Sequence, residues 1–358
     1  MESTLYDYET AARERLPRPV WDFLAGGSGT ESMLATSREA LDRLTLRPRC
    51  LVDVSDCRPD TALLGSPLPA PLGIAPMAYH QLAHYDGELA TARAAGASGT
   101  LLTVSMFASR TLEEIAAVAG GPLWLQLYWL RRREPMVDLI RRAERAGYRA
   151  LVLTVDAPRI AHRPRDVRNG FALPAGIRAA NIDPAVMTAT HSAAADQSAI
   201  ARHAREQFDA SITWKDLAWL RERTELPLVL KGVLTAEDAE LAVRYGVDAL
   251  VVSNHGGRQL DFATPAPDAL PEIADAVAGR CQLILDGAIR HGADIAKALC
   301  LGADAVFVGR PVLWGLAHSG SDGVAAVLHT LMREFDEVMA LMGAPDVRAF
   351  HRSGIARK

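Results

Sequence analysis

Cysteine is scarce in this sequence, and the few that are present stand apart. Cys50, Cys57, Cys281 and Cys300 form no Cys-x-x-Cys pair, and the ten histidines show no His-Glu-x-x-His or similar metal-binding spacing. These spacings are the usual marks of zinc and redox motifs. We therefore expect no disulfide framework and no metal site, and unpaired thiols favour a reducing compartment, the cytoplasm.

Long apolar runs and an excess of one charge are also missing. No stretch approaches the roughly 20 apolar residues of a membrane-spanning helix, and the amino terminus, MESTLYDYETAARERLPRPV, lacks the apolar core of a signal peptide. The 39 basic residues against 43 acidic ones leave a net charge of -4, whereas nucleic-acid-binding surfaces are basic and clustered. Binding to membranes or nucleic acid is not expected.

No Gly-x-Gly-x-x-Gly segment follows the first apolar run, which counts against a doubly wound dinucleotide-binding sheet. What the sequence does contain is a repeated unit, at 143–158, 242–257 and 298–312. Each copy has the end of a helix, a glycine and then an apolar run. Glycine at a helix end supplies a left-handed turn, and an unbroken apolar run suits a parallel strand that is buried on both faces.

Eight such apolar runs occur along the chain, with amphipathic helical stretches between most of them. They cover 71–76, 100–104, 123–127, 150–155, 228–232, 249–253, 283–287 and 305–309. Eight strand–helix units predict a TIM (β/α)8 barrel that occupies 1–358 as a single domain. A helical segment precedes the barrel, and a long polar insertion, 178–213, follows the fourth strand. This insertion is either a mobile lid or an ordinary surface excursion.

Polar side chains close these runs. The carboxyl ends of TIM-barrel strands carry the active site, so these side chains are expected to surround one pocket. The lysine in LVLKG needs an anionic partner, because a buried ammonium is otherwise costly. The residues at or just beyond the strand ends are Pro76, Met77, Ala78, Tyr79, Ser105, Gln126, Tyr128, Thr154, Asp156, Lys231, Ser253, His255, Arg258, Asp286, Gly309 and Arg310.

The last two strands are each followed by a glycine and an arginine, Gly287 with Arg290 and Gly309 with Arg310. This is the usual phosphate-binding place of the fold, where backbone N–H groups and a helix N-terminus face the anion. The two guanidinium groups add paired donors. The sequence therefore predicts a phosphorylated ligand, either substrate or cofactor.

Three segments carry a resemblance to a known family: SNHGGRQLD, the upstream LVLKGVLTAEDA and the downstream LDGAIRHGADIAKALCLGADAVFVGRP. They resemble the FMN-dependent α-hydroxy-acid oxidases and dehydrogenases, and the resemblance runs almost from end to end. QLYWLR and RDVRNGFALP are similar to the 4-hydroxymandelate oxidase branch found in actinobacteria. The resemblance implies oxidation of a 2-hydroxy acid to the 2-oxo acid, with O2 reduced to H2O2.

The resemblance also implies roles for the polar residues. His255 would be the base that takes a proton as the α-carbon is oxidised, Asp156 would orient its imidazole, and Tyr128 would hydrogen-bond the substrate. Lys231 would face the flavin where negative charge collects on reduction. The residues implied for FMN are Pro76, Met77, Ala78, Ser105, Gln126, Thr154, Lys231, Ser253, Asp286, Gly287, Arg290, Gly309 and Arg310.

The substrate carboxylate would be bound by Arg163 and Arg258, and here the sequence departs from the family. The Gly-Arg-Arg of the family is replaced by Ala161-His162-Arg163, and Pro164 restricts the backbone of Arg163 to extended conformations. Phe23 stands where many relatives have a tyrosine. That change removes a hydroxyl and adds an apolar wall.

Two other departures bear on the ligands. Ala288 replaces the second glycine of Asp-Gly-Gly, and its methyl group could crowd the phosphate loop. Together with Phe23, the residues Tyr79, Phe107 and Trp129 are predicted to surround the substrate. That substrate would be an aryl 2-hydroxy acid such as (S)-mandelate or 4-hydroxymandelate. A dehydrogenase with a quinone or protein acceptor, a natural-product tailoring oxidase and a flavin-binding protein without turnover remain alternatives. By resemblance the chain would form a homo-oligomer, a tetramer.

Overall fold

The computed structural model describes residues 4–182 and 199–357. The α-helices in these ranges are α1 (Leu5–Arg15), α2 (Arg18–Ala25), α3 (Ser32–Asp42), α4 (Glu88–Ala97), α5 (Leu112–Val118), α6 (Glu134–Arg145), α7 (Pro164–Arg168), α8 (Ala199–Gln207), α9 (Asp216–Arg221), α10 (Ala236–Arg244), α11 (Ala266–Val277), α12 (Gly292–Leu301) and α13 (Arg310–Met342). The last of these is interrupted by non-helical backbone at Ser319 and Gly320. Within the described ranges, no helix combines the length and the apolar character needed to cross a bilayer.

Eight parallel strands form a closed barrel, which confirms the predicted TIM barrel. Each strand lies in or within one residue of a predicted apolar run. The strands are β1 (Leu72–Ile74), β2 (Leu101–Ser105), β3 (Leu123–Leu127), β4 (Leu151–Thr154), β5 (Leu228–Val233), β6 (Ala249–Val252), β7 (Gln282–Asp286) and β8 (Ala305–Val308). They pair in chain order, and β8 closes the barrel on β1.

The alternation of side chains along each strand places apolar and polar residues in successive layers inside the barrel. Trp124, Val152 and Val229 belong to one interior apolar cluster. Because side chains two residues apart point to the same face of a strand, Gln126, Thr154 and Lys231 also point inward, one layer nearer the carboxyl end. The polar ring predicted from the strand ends therefore follows from the strand register.

The amino end of the barrel is closed by a short antiparallel hairpin, Thr61–Leu63 with Ser66–Leu68. Its Leu63 and Leu68 are buried in the same apolar cluster as Trp124. A glycine in β1, Gly73, leaves room for the ring of Phe307, since a side chain at that position would collide with it. This end is packed solid, so a ligand can enter only from the carboxyl end.

Helices and short strands outside the barrel hold the segments that cover its carboxyl end. Several helices begin at a capping side chain; Thr111, for example, forms a capping box with Glu114 at the start of α5. Such caps satisfy backbone N–H groups that the helix leaves free. Leu44–Leu46 pairs with Ile355–Arg357, which ties the amino-terminal helices to the carboxyl terminus.

Candidate active site

A cavity opens at the carboxyl ends of the barrel strands, and nearly all of the predicted site residues line it. The exceptions are Trp129, which packs elsewhere, and Asp156 and Ser253, which lie behind His255 and Lys231 and contact them. The predicted residues that line the cavity are Phe23, Pro76, Met77, Ala78, Ser105, Gln126, Tyr128, Thr154, Arg163, Lys231, His255, Arg258, Asp286, Gly287, Arg290, Gly309 and Arg310. Residues from distant parts of the sequence thus meet at one site.

The SNHGG motif positions His255 through an unusual backbone. His255, Gly256 and Gly257 all have positive φ, at 58°, 61° and 73°. The hydroxyl of Ser253 accepts a hydrogen bond from the backbone N–H of His255 at 3.0 Å. A histidine in this left-handed region is strained, whereas glycine adopts it at little cost. The two glycines therefore allow the chain to turn back immediately after the histidine.

The imidazole of His255 is held between a carboxylate and a phenol. Its Nδ1 lies 2.8 Å from Oδ1 of Asp156, and its Nε2 lies 3.5 Å from the hydroxyl of Tyr128. Asp156 can approach because residue 232 is a glycine, since a side chain there would collide with the carboxylate. With Nδ1 hydrogen-bonded to Asp156, Nε2 faces the cavity and is the nitrogen available to accept a proton.

Burial and nearby charges set the protonation states of this pair. Burial lowers the pKa of His255 below its ordinary value, although Asp156 opposes the shift; Lys231 and Arg163 lower it further. Burial acts to raise the pKa of Asp156, but the charge and hydrogen bond of His255 outweigh it, so that pKa lies below its ordinary value. At neutral pH the pair is a neutral imidazole beside a carboxylate, as a general base requires.

Lys231 has the anionic partner that its burial requires. Its ammonium lies 2.9 Å from Oδ2 of Asp286 and donates to the hydroxyl of Ser253 at 2.9 Å. Burial acts to lower the pKa of Lys231, but Asp286 and Asp156 outweigh it and raise the pKa above its ordinary value. The lysine is therefore a fixed positive charge in the cavity wall.

The two arginines predicted to bind a carboxylate differ in their contacts. Arg258 donates through Nη1 to the carbonyl oxygens of Phe23 and Gly26, both at 2.7 Å, and its guanidinium lies 5.2 Å from the centre of the Phe23 ring. Arg163 is buried, and its Nε has no hydrogen-bond partner in the described ranges. Its backbone is extended, as predicted from the following proline, and Pro164 begins α7. Arg163 is thus a cation with unused donor capacity.

A polar row and a basic end complete the cavity. Ser105 donates to Oε1 of Gln126 at 3.1 Å, and Nε2 of Gln126 donates to Thr154 at 3.0 Å. At the basic end, burial lowers the pKa of both Arg290 and Arg310. Two buried guanidinium groups are favourable where an anion compensates them.

Ala288 lies in the loop that precedes the basic end, and its methyl group is accommodated. Its backbone has a positive φ of 60°. Its carbonyl oxygen accepts a hydrogen bond from Nη1 of Arg38 at 2.6 Å, and Arg38 also pairs with the buried Asp294. The loop therefore adopts the turn of a glycine with an alanine in place, and neighbouring charges hold it there.

Aromatic rings form another wall of the cavity. The ring of Phe208 stacks on Tyr128 at 4.6 Å and on Phe107 at 6.1 Å between centroids. Phe23 stacks on Phe171 at 4.4 Å. The prediction for Trp129 was wrong: it does not line the cavity but packs edge-on against Trp219. The side chain of residue 129 points away because it follows Tyr128, and neighbouring extended residues face opposite sides.

The insertion contributes residues that the sequence analysis missed. His203, Ala204 and Phe208 line the cavity. The sequence analysis considered residues at the ends of predicted strands, and these three residues follow no barrel strand, so it could not identify them. Part of the insertion predicted as either a lid or a surface excursion, 183–198, lies outside the described residues.

Comparison with known proteins identifies the family of the chain. The chain matches the family described as FMN-dependent dehydrogenase over residues 12–357. It is 49% identical to 4-hydroxymandelate oxidase of Amycolatopsis orientalis over 349 residues, which cover 98% of this chain and 97% of that protein. It is 46% identical to L-lactate oxidase of Nostoc sp., with 96% and 95% covered.

The fold comparison agrees. A crystal structure of mandelate oxidase with (S)-4-hydroxymandelic acid superposes with a TM-score of 0.96 at 48% identity, over 100% of this chain and 99% of that one. Both the sequence match and the barrel extend over almost the whole chain. This chain therefore belongs to the FMN-dependent dehydrogenase family.

Proposed function

We propose that this chain is an FMN-dependent oxidase that converts an aryl (S)-2-hydroxy acid, such as mandelate or 4-hydroxymandelate, to the 2-oxo acid while O2 is reduced to H2O2. The relatives named above are oxidases of 2-hydroxy acids, one of 4-hydroxymandelate and one of L-lactate. The observation that carries the proposal is one cavity in which a neutral imidazole held by a carboxylate faces a buried guanidinium with unused donors, Arg163.

The cavity fits FMN at its basic end. The phosphate would lie near Arg290 and Arg310 and beside the backbone of Gly287 and of Gly309, which precedes α13. Two buried cations and a helix N-terminus there favour an anion. The row formed by Ser105, Gln126 and Thr154, with Pro76 to Ala78 and the Lys231–Asp286 pair, would surround the ring system. When bound, FMN supplies the two-electron acceptor that O2 later reoxidises.

The protein's own groups would bind and deprotonate the substrate. Arg163 and Arg258 would bind the carboxylate, and the hydroxyl of Tyr128 would hydrogen-bond the substrate beside His255. Oxidation of the alcohol to the ketone removes two protons and two electrons: Nε2 of His255 would take one proton, and the two electrons and the other proton would go to the bound cofactor. Asp156 would then stabilise the imidazolium, because it already contacts Nδ1 at 2.8 Å.

The aromatic wall supports an aryl substrate. Phe107, Tyr128 and Phe208 present ring faces and edges to the cavity, and Phe23 closes another side. A phenyl ring would bury apolar area against them, whereas a methyl group would leave most of that surface uncovered. The wall is therefore matched to mandelate better than to lactate.

Anaerobic flavin reduction tests the proposal. The purified protein should be yellow, lose its colour with (S)-mandelate under nitrogen and regain it in air with formation of H2O2. Bleaching that air does not reverse, but that a quinone does, would identify a dehydrogenase. A yellow protein that no 2-hydroxy acid bleaches would refute the proposal.

We also propose that the chain acts as one domain, forms a homo-oligomer and resides in the cytoplasm. Leu51, Leu260 and Phe262 expose apolar side chains that a subunit interface would cover. All four cysteines are free, as in a reducing compartment. Light scattering of the purified holoenzyme would measure the number of subunits, for which four is the expected value.

A further inference from the structure

His203 is a buried polar residue in the aromatic wall that the reaction proposed above does not use. It lies on α8, its side chain is 2% exposed, and it lines the same cavity as His255. Its ring meets the ring of Phe107 edge-on, with centroids 6.0 Å apart. The neighbouring Ala204 is small and leaves the imidazole beside open cavity.

The hydrogen-bonding capacity of His203 is unused. Its Nδ1 is buried and has no hydrogen-bond partner in the described part of the chain. Burial lowers the pKa of His203 to about 4, so the imidazole is neutral at neutral pH. A neutral imidazole has one N–H donor and one acceptor nitrogen. Leaving such a group buried without a partner costs stability, and native proteins rarely do so without a functional reason.

The position of His203 relative to the reacting groups defines what it would meet. The hydroxyl of Tyr128 lies 3.5 Å from His255, the rings of Tyr128 and Phe107 have centroids 5.6 Å apart, and His203 meets the other member of that pair, Phe107. An aryl substrate held by its carboxylate at Arg163 and by its hydroxyl at His255 would place its ring against these aromatic residues. The far edge of that ring would then face His203.

We propose that His203 recognises a hydroxyl group at the far, para position of the substrate's aromatic ring. The inference rests on the proposed function and adds a polar subsite to it, which makes a phenolic 2-hydroxy acid the preferred substrate. The imidazole would either accept a hydrogen bond from the phenolic hydroxyl or donate one to the phenolic oxygen. Phe107 and Phe208 both belong to the apolar wall of the cavity, so the ring would be bound by packing against that wall and its substituent by His203.

The test compares three substrates in the holoenzyme: (S)-mandelate, (S)-4-hydroxymandelate and (S)-4-methylmandelate. The methyl compound controls for the size of the substituent. In His203→Leu we expect the preference in kcat/KM for the hydroxy over the methyl substrate to fall about tenfold, as loss of a buried hydrogen bond predicts. The value for mandelate itself should change by less than about threefold. His203→Gln retains a donor and an acceptor and should recover part of the preference.

Binding provides a second readout, independent of turnover. The product analogues benzoylformate and 4-hydroxybenzoylformate should perturb the flavin spectrum, and only the second should bind about tenfold more weakly to His203→Leu. The subsite does not exist if kcat/KM of both variants falls equally on all three substrates. The same holds if the ratio of kcat/KM for the hydroxy substrate to that for the methyl substrate is the same in wild type and His203→Leu. If wild type oxidises none of the three, the proposed function itself fails.

Discussion

The two ends of the barrel are built from the same eight strands, but one end has an apolar interior and the other a polar one. At the amino end the interior holds Trp124 and Phe307, whose rings pack edge-on at 5.8 Å beneath the hairpin. At the carboxyl end, two residues further along the same strands, it holds Gln126 and Gly309. One step of the strand repeat therefore separates an apolar layer, of which Phe307 also lines the cavity, from a polar layer that surrounds the ligand site.

The difference shows that energetically unfavourable features are concentrated at the carboxyl end. The carboxyl end contains buried charges and three cavity-lining residues, Tyr79, His255 and Ala288, with positive φ that only glycine adopts freely. Such conformations cost of order 1–3 kcal/mol each and persist only when the surrounding structure enforces them. Changes at the apolar amino end should therefore affect mainly stability, and changes at the carboxyl end mainly activity.

The largest effect is expected from His255→Asn at the carboxyl end. The variant should keep its flavin and fold, because the hydrogen bonds of the side chain within the described ranges go to two other side chains, Asp156 and Tyr128, and to no backbone group. Loss of the base should lower the rate of flavin reduction by on the order of 10²–10⁴ or more. Stopped-flow bleaching under nitrogen measures it, and a normal rate would remove His255 from the mechanism.

Trp124→Ala at the amino end should lower stability and leave activity nearly unchanged. The side chain is fully buried, and loss of a buried tryptophan typically costs about 3–5 kcal/mol of unfolding free energy. The urea midpoint should fall, while kcat per bound flavin at low temperature stays close to wild type. Trp124→Phe serves as the milder control. A variant of normal stability would show that this layer is not the stabilising one.

Arg163→Met should separate substrate binding from stability within the carboxyl end itself. We expect kcat/KM for mandelate to fall by an amount equivalent to about 2–5 kcal/mol, with the urea midpoint unchanged, because Nε of Arg163 has no partner in the described ranges. The matched Arg258→Met should lose both activity and stability, since that guanidinium also binds two backbone carbonyls. Unchanged mandelate kinetics in Arg163→Met would mean that the carboxylate lies elsewhere.

The aromatic wall should make the enzyme prefer an aryl substrate to a short alkyl one. Complete burial of a phenyl ring contributes roughly 2–3 kcal/mol more than that of a methyl group, so kcat/KM for (S)-mandelate should exceed that for lactate by roughly 30- to 100-fold. Steady-state oxygen consumption with both acids decides it. Equal or better activity on lactate would contradict the aryl assignment and leave the hydroxy-acid chemistry untouched.

The smallest effect is expected from Ala288→Gly in the loop before the basic end. Relief of a left-handed alanine gains about 1–2 kcal/mol, and the extra backbone freedom of glycine in the unfolded chain takes back about 0.5–1 kcal/mol. The free energy of unfolding should therefore rise by about 1 kcal/mol or less. Gly287→Ala, at φ 94°, is the matched control and should destabilise. A less stable Ala288→Gly would show that the methyl group packs usefully.

Most of the barrel and much of the site could be predicted because both depend on local patterns. The apolar runs marked all eight strands, and the residues that close them include Gln126, Lys231 and Asp286, which line the cavity. Trp129 was misassigned because proximity to a strand end does not say which side a residue faces. His203 and Phe208 were missed because they belong to the insertion, where no repeat indicates direction.

The sequence by itself determined the strand–helix repeat, the layer of polar strand ends and the family, since each is written in residues close together along the chain. Only the tertiary structure decided how those residues are paired. Asp156 and His255 are 99 positions apart yet 2.8 Å from each other, and Arg258 spends donors on backbone carbonyls of α2 and its following turn while Nε of Arg163 remains unpaired. Protonation states and free donors depend on burial and on partners distant in sequence, and these exist only once the barrel has closed.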